Sequence, residues 1–471
     1  MGIYTIYDFF LLASIFVPLF GSFLCLVARE KAREAWAIGI TSISFIFSCL
    51  LIPQILKGYT FITELVPLET EVFNLTFRFG TIGIVFAITF AFIGTIALIY
   101  STGYIKKEKS EYYFMTTLMI GSLMGVAYAN NLILLYIFWE LAAFATWRLV
   151  GFMRKAESIQ AANKTFLMTY LGSSLMLFGF ILIYTQTGSL DLDLLRGETL
   201  QNANVILTLI FLGMIAKSAC LPIYTWPSEA YPAAPSPSSA ILSGVVSKIG
   251  LLAFARIFLV TFNISWNWII ILGVVSSIIA GGAALIAKDI KKIIAYSSIS
   301  QIGFILLAFS LFNKIGMEAA LFFVIVHAVG KAGLFLGAGI IEAAAGERNI
   351  NKLGGFIKTA PVAAVGFLFC AISIVGFPPF GGFWAKLWTV HAAVEANHPY
   401  IAALAIFSAI LTMLYMFRLF NGIFLGEGPK VKIHKVKYKN MMSACVLGLG
   451  IISLAIGIFV AQIRQLFSGI F

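Results

Sequence analysis

The sequence has few cysteines and no motif that binds a metal or a nucleotide. Cys25, Cys49, Cys220, Cys370 and Cys445 occur singly among 471 residues, without the paired spacing that holds zinc or an iron–sulfur cluster. We expect them to be small buried hydrophobes. Neither G-x-G-x-x-G nor G-x-x-x-x-G-K-[ST] occurs. We therefore expect no cofactor, no metal and no catalytic redox site in this chain, so that redox chemistry or ATP hydrolysis, if it drives this protein, takes place in another subunit.

Charged residues are also scarce. They make up 11% of the chain against 61% hydrophobic residues, and the mean hydropathy is +0.98. A soluble domain is about 25% charged, so the composition excludes one and predicts an all-α, polytopic membrane protein in a lipid bilayer. We attribute the net charge of +12 to lysines and arginines in loops, which set the orientation of the spans in the membrane. We expect no nucleic-acid partner.

Apolar runs of about 18–25 residues recur along the chain, each long enough to cross roughly 30 Å of hydrocarbon as a helix. The first lacks a basic leader and a cleavage site, and we interpret it as a retained span. The predicted spans are 7–28, 35–56, 80–101, 112–129, 131–153, 158–184, 203–223, 238–260, 266–287, 293–312, 316–344, 359–392, 400–425 and 441–468.

The positive charges predict the orientation of these spans. Most lysines and arginines lie in the odd-numbered connections, which places those loops in the cytoplasm and both termini outside the cell membrane. Between the second and third spans, Phe73, Leu75, Phe77 and Phe79 alternate with polar residues, so we expect a small β-hairpin on the outer face.

The chain forms one membrane domain, 1–471, in this interpretation. Its predicted parts are three N-terminal helices with the hairpin (1–110), a first five-helix repeat (111–262), a second, inverted five-helix repeat (263–426), and a basic cytoplasmic loop with the last helix (427–471).

The seventh and twelfth spans are interrupted, and each interruption lies beside a lysine, Lys217 or Lys386. Proline removes a backbone donor and clashes with the preceding turn, and broken helices occur at membrane depth where protein or a wet cavity meets the freed groups. Breaks five spans apart are typical of inverted repeats around an ion path, although kinks that serve only packing are the alternative. The residues expected at the breaks are Pro222, Pro227, Gly376, Pro378 and Pro379.

Six ionisable residues lie deep inside apolar runs, where a lysine costs roughly 2.5–3.5 kcal/mol, which indicates a path for charge. They are Glu140, Lys217, Lys248, His327, Lys331 and Lys386. His327 and Lys331 share a helix face, although a satisfied core histidine would explain His327 alone. The partner of Glu140 is a lysine or, alternatively, Arg148 two turns along.

Several of these residues stand in longer motifs. They include Phe138-Trp139-Glu140-Leu141, Ala216-Lys217, Lys248-Ile249-Gly250, Ala295-Tyr296-Ser297-Ser298-Ile299-Ser300, His327-Ala328 and Gly376-Phe377-Pro378-Pro379-Phe380-Gly381-Gly382. These runs resemble the antiporter-like subunits of respiratory complex I, of energy-converting membrane-bound hydrogenases and of multisubunit sodium/proton antiporters. The likeness is collinear over at least residues 110–390.

The resemblance implies about fourteen transmembrane helices, two inverted five-helix repeats with one broken helix each, and a polar axis at the membrane midplane. It also implies roles for the residues that match the motifs. Glu140 and Lys217 would form a switch pair and Lys248 the central relay; His327 and Lys331 would continue the path to Lys386.

The chain departs from the family pattern around the first break and after Glu140. Tyr224 and Tyr231 stand where many complex I members have histidine, and Glu229 holds the acidic position beyond Trp226, closer to the hydrogenase branch. Arg148 lies in a Trp-Arg pair that replaces a commoner one. We therefore expect Arg148 and Glu229 to be auxiliary at most.

These patterns favour a proton-translocating subunit of a redox-driven, complex I-like respiratory complex of the membrane-bound hydrogenase type, with other membrane subunits and peripheral redox subunits as partners. The alternatives are a subunit of a multisubunit Na⁺/H⁺ antiporter without redox chemistry, a sodium-translocating module, and a stand-alone carrier or spacer. In each transport reading, moving Lys217 relative to Glu140 would switch the proton affinity of the amine.

Overall fold

The structure is a computed structural model that describes residues 5–65, 75–429, 431–436 and 439–467. Helices form nearly all of it. The first elements are α1 (Ile6–Val27), α2 (Glu30–Leu50), α3 (Ile52–Leu56), β1 (Phe61–Glu64), β2 (Thr76–Phe79) and α4 (Thr81–Tyr104). They are followed by α5 (Lys109–Tyr128), α6 (Leu132–Val150), α7 (Ala156–Thr187), α8 (Ala203–Ser218), α9 (Pro227–Ala233), α10 (Ser236–Gly244) and α11 (Ile249–Ala253).

The remaining helices are α12 (Asn267–Ile286), α13 (Ile290–Ser310), α14 (Lys314–Ala345), α15 (Pro361–Val375), α16 (Gly381–Glu395), α17 (Pro399–Phe424), α18 (Lys439–Ile458) and α19 (Val460–Gln465). Within the described residues, 11 helical segments are long and apolar enough to cross a membrane. Adding α5 and the two interrupted segments, α8 with α9 and α15 with α16, gives the fourteen crossings that the sequence predicts.

The predicted hairpin is present. β1 pairs antiparallel with β2, with Phe61 opposite Phe79 and Thr63 opposite Phe77, whereas the predicted strand residue Phe73 lies outside the described residues. The Thr63 hydroxyl donates to the Asp8 carboxylate at the start of α1 at 2.5 Å. The hairpin is thereby fixed to the end of the bundle where α1 begins, which we call the hairpin end; its placement outside the cell remains a prediction.

The two central helices, α13 and α14, are almost completely buried. α14 packs against α4, α10, α13, α15, α16 and α18. α12 approaches α13 closely because both carry glycine at the contact: a Cβ on Gly303 would stand 2.7 Å from the carbonyl oxygen of Gly273. The buried polar residues of α13 and α14 therefore lie far from lipid, inside the protein.

The first broken segment separates α8 from α9. α8 ends where Ala219 takes a left-handed backbone conformation with φ of 60°, and helix resumes at Pro227, the first residue of α9. Pro222 lies within the break. The Trp226 indole donates to the freed carbonyl of Ala216 at 2.9 Å, and the Leu221 amide donates to the Ser276 hydroxyl at 3.1 Å. Protein groups thus satisfy the backbone that the break exposes.

The second broken segment has the same design. α15 ends before Gly376, whose φ of 91° favours glycine, and α16 begins at Gly381 after the Pro378-Pro379 pair. The predicted fold, with one broken helix in each repeat, is confirmed.

The eighth span is less regular than the sequence predicts. Between α10 and the loop before α12, the chain passes through a 3₁₀ turn (Val246–Lys248), then α11, then a π-helical stretch (Phe254–Thr261). Gly250 allows α11 to lie directly on α8, since any Cβ there would collide with the Met214 carbonyl and the Ser218 hydroxyl. The close contact between α8 and α11 depends on tertiary packing, and the helical periodicity of the sequence does not predict it.

Candidate functional site

Glu140 on α6, which is half-buried, lies near the buried Lys217 at the end of α8. Lys217 is 1% exposed and its amine lies 5.8 Å from the centre of the Trp139 ring. Among the described residues, neither Lys217 Nζ nor the buried Glu140 Oε1 has a hydrogen-bond partner. The two charges interact, yet no ion pair within 4.0 Å joins them. They are neighbours without direct contact.

Arg148 does not pair with Glu140, so that alternative for the carboxylate is wrong. The Arg148 guanidinium forms an ion pair with Glu111 on α5, which also accepts from Arg154 at 2.8 Å. Two helical turns carry Arg148 about 12 Å along the axis from Glu140, to the end of α6, where the α5 carboxylate is within reach.

Four other predicted residues gather around α14. Lys248, Lys331 and Lys386 each lie close enough to His327 for their charges to act on the imidazole. All four are buried, with exposed fractions of 0–6%. Neither ring nitrogen of His327 has a hydrogen-bond partner in the described part of the chain. His327 is therefore not a satisfied core histidine but the common neighbour of three lysines.

Serine side chains and main-chain carbonyls lie between two of these lysines. Lys248 Nζ donates to the carbonyl of Ser243, and the Ser243 hydroxyl lies 2.7 Å from that of Ser298 on α13. The Ser298 hydroxyl and Lys331 Nζ both donate to the Ile294 carbonyl, at 2.8 and 3.4 Å. Because carbonyls only accept, these contacts bring polar groups of α10, α13 and α14 together without forming an unbroken chain of hydrogen bonds.

Sequence reasoning assigned no role to these serines. Ser297, which accepts from Lys331, and Ser298 stand next to each other in α13. Adjacent serines in a buried helix were the available signal.

Lys386 forms hydrogen bonds with the main chain at the second break. Its amine donates to the carbonyls of Ile374 and Val375 at 3.0 Å each, and lies 5.7 Å from the centre of the Phe304 ring. These carbonyls belong to the last turn of α15 and lack an intrahelical donor. The predicted lysine is therefore part of the break and also a neighbour of His327.

A second feature missed from the sequence is a buried ion pair at the end of the bundle opposite the hairpin. Lys291 was counted among the loop charges, but it is 1% exposed and its amine lies 2.7 Å from a Glu342 oxygen. The hydroxyls of Tyr104 and Ser236 lie 3.4 Å from that same oxygen. Glu342 follows Lys331 by about three turns of α14, which was the signal available.

This ion pair lines a cavity of about 730 Å³ at the same end. Glu229 lines it too, and pairs at 2.6 Å with Lys164, which is half-buried. Glu229 is thus at the rim and not among the buried lysines, and its auxiliary role stays a prediction. The described residues contain no group of three or more histidine, cysteine, aspartate or glutamate side chains that would hold a metal.

A helical membrane bundle with two broken helices and a row of buried lysines defines the class of antiporter-like subunits. The comparisons identify the family within that class. Residues 129–412 match the family model described as "NADH:quinone oxidoreductase/Mrp antiporter, TM", and the chain belongs to this family.

Relatives and solved structures agree with this membership. Na(+)/H(+) antiporter subunit A1 of Staphylococcus haemolyticus is 30% identical over 93% of this chain and 59% of its own length. The Mrp complex from a Dietzia species contains a chain of the same fold, with a TM-score of 0.91 at 24% identity over 98% of this chain and 96% of that one. The membrane-bound sulfane sulfur reductase, an archaeal respiratory membrane complex, follows with 0.89 at 24% identity over 99% and 96%. The chain spans about three-fifths of the curated relative it matches.

Proposed function

We propose that this chain is a proton-translocating subunit of a multisubunit Na⁺/H⁺ antiporter. The observation that carries the proposal is the enclosed set of amines: Lys217 faces Glu140, and three further lysines surround the unpartnered His327. Buried amines without fixed carboxylate partners are costly and are retained where charge must move. The curated relative named as a Na⁺/H⁺ antiporter subunit favours the antiporter over the hydrogenase-type complex that the sequence favoured.

The first step of the proposed mechanism takes place at Lys217. Its protonated amine is stabilised by Glu140 across a gap that a small movement of the α8 break would close or widen. Approach of the carboxylate favours the charged amine, and separation favours its release of a proton. The interruption at which such a movement would take place lies beside Lys217, since α8 ends one residue beyond it.

The second step passes the charge to the group around His327. The Ser243–Ser298 contact lies between Lys248 and Lys331, and His327 lies beside them with both ring nitrogens free among the described residues. Since both lysines donate to main-chain carbonyls, transfer between them requires water or a side-chain movement. In the described residues no hydrogen bond bridges Lys217 and Lys248, so this transfer requires water or a side-chain movement between α8 and α11.

The cavity opposite the hairpin supplies the access route in this proposal. It reaches Lys291 and Glu342, which stand where the buried polar residues begin. Other membrane subunits would complete the transporter and carry the sodium step. A redox-driven complex is the second candidate, since the sulfane sulfur reductase shares the fold, and the two candidates differ in the subunits that accompany the chain.

The test uses everted membrane vesicles that contain the chain with its copurifying subunits. Sodium added to vesicles with a preformed pH gradient should dissipate that gradient, as read by a fluorescent amine. Lys217→Ala should abolish this response. The matched control is Lys164→Ala, which removes a half-exposed lysine from a rim ion pair.

Full sodium-dependent transport by Lys217→Ala would contradict the proposed mechanism. Copurification of redox subunits, with proton movement that depends on an electron donor and not on sodium, would favour the second candidate instead.

A further inference from the structure

A second cavity, of about 340 Å³, lies at the hairpin end of the protein. It is enclosed by β2, the start of α4, the π-helical stretch and the loop after α7. Three arginines line it: Arg78 of β2, Arg196 of the loop and Arg256 of the π-helical stretch. The proposed proton path uses none of them.

Arg256 is buried, with only 6% of its surface exposed. Its Nη1 donates to the carbonyl of Ala129 at 2.6 Å. Gly83 makes room for this arrangement, because a Cβ there would stand 2.8 Å from the same carbonyl and 3.6 Å from Arg256 Nη2. No ion pair joins Arg256 to a carboxylate within the described residues, so several donors of the guanidinium remain for the cavity.

Positive charge exceeds negative charge on the cavity wall. Asp193 is the one carboxylate among the described lining residues, and it already pairs with Arg78 and accepts from Asn130 at 3.1 Å. Arg196 is exposed and has no ion pair within the described part of the chain. Arg78 and Arg256 are close enough for their charges to repel each other. A buried, uncompensated guanidinium is costly unless an anion approaches it.

We infer that this cavity binds a phosphate-type anion, either free inorganic phosphate or the phosphate of a lipid headgroup. The guanidinium fork matches two phosphate oxygens, and charge-assisted hydrogen bonds of this kind are among the strongest in proteins. The cavity opens at the end of the transmembrane helices, the level at which headgroups lie. Arg256 supplies the inner contact and Arg196 the contact at the mouth.

Binding is measured on the detergent-purified chain together with its copurifying subunits. Equilibrium dialysis with radiolabelled inorganic phosphate reports the free anion, and mass spectrometry after detergent washing reports retained phospholipid. Arg256→Gln should remove both signals. Arg196→Gln should weaken phosphate binding about tenfold, which corresponds to the loss of one charge-assisted contact.

Arg418→Gln is the matched control. Arg418 also donates to main-chain carbonyls, those of Leu285 and Ala287, and has no ion pair in the described residues, but it does not line the cavity. Its loss should leave both signals unchanged. Because Arg256→Gln removes a buried contact and its fold must be checked, Arg196→Gln provides an independent test at the exposed mouth.

The outcomes separate the two sources of phosphate. Phosphate uptake without lipid retention identifies the free anion, and arginine-dependent lipid retention identifies a headgroup; both support the inference. Absence of both signals in the unmodified protein, or equal signals in the protein and both cavity variants, would overturn it.

Discussion

Replacing Glu140 by glutamine tests the switch between carboxylate and amine most directly. The change removes the negative charge while keeping the size of the side chain. No ion pair within 4.0 Å joins Glu140 and Lys217, so the lost attraction is at most about 4 kcal/mol at an effective dielectric constant near 20. If that whole difference appeared in the transport barrier, the rate would fall by about a thousandfold. We expect a loss between about tenfold and this limit.

The assay is the sodium-triggered collapse of a pH gradient in everted vesicles, normalised to the amount of protein. A double-mutant cycle with Lys217→Ala adds a second criterion, because a carboxylate that acts through the amine has nothing to act on once the amine is gone. The double variant should be no worse than Lys217→Ala alone. Glu30→Gln is the control, because it changes an exposed carboxylate that pairs with Lys109 and does not line the access cavity, and exposed ion pairs contribute little. Unchanged transport in Glu140→Gln would refute the switch.

Three further changes give distinct expectations. Gly382→Ala should destabilise the protein by about 1–3 kcal/mol or more, since its Cβ would collide with a backbone carbonyl of α15, whereas Gly448→Ala meets nothing within 4 Å; thermal unfolding in detergent compares the two. Ser298→Ala should slow transport about fivefold at unchanged folding, the value of one hydrogen bond near 1 kcal/mol, as read by the vesicle assay. The hydrogen bond from Lys352 lowers the pKa of Glu347 to about 2 from an ordinary 4.5. This carboxylate therefore stabilises the loop after α14 above pH 4.5, and that contribution is lost as the pH falls toward 2; Lys352→Ala should increase hydrogen exchange there at pH 7 and change it little at the acid end.

The fourteen crossings and both breaks were predictable from the sequence. Apolar length matches the thickness of a bilayer, and proline removes a backbone donor wherever it stands, so these features depend on local chemistry alone. The burial of the four lysines and His327 followed from the same reasoning, whereas Glu140 is only half-buried. Which of them meet was given only by the resemblance to known subunits.

Features set by distant parts of the chain were not predictable. Lys291 lies beside Asp289 and Lys292, so the sequence suggests a loop charge. Glu342 lies next to it because α14 packs against α13 in the fold. Arg148 stands at helical spacing from Glu140, but it forms its ion pair with Glu111 on α5 instead. The distorted helix around Lys248 likewise depends on what packs beside it. In each case the deciding partner lies on another helix.

The amine of Lys386 holds the last turn of α15 by donating to its two terminal carbonyls. A movement that swings this nitrogen toward His327 would withdraw both donors, whereas loss of one proton would leave two hydrogens and weaken the bonds by removing the charge. Either event would loosen the end of α15. In the proposed mechanism, charge movement and helix geometry are therefore coupled, and a spectroscopic label on the turn between α15 and α16 should register each passage of charge as a change of backbone shape.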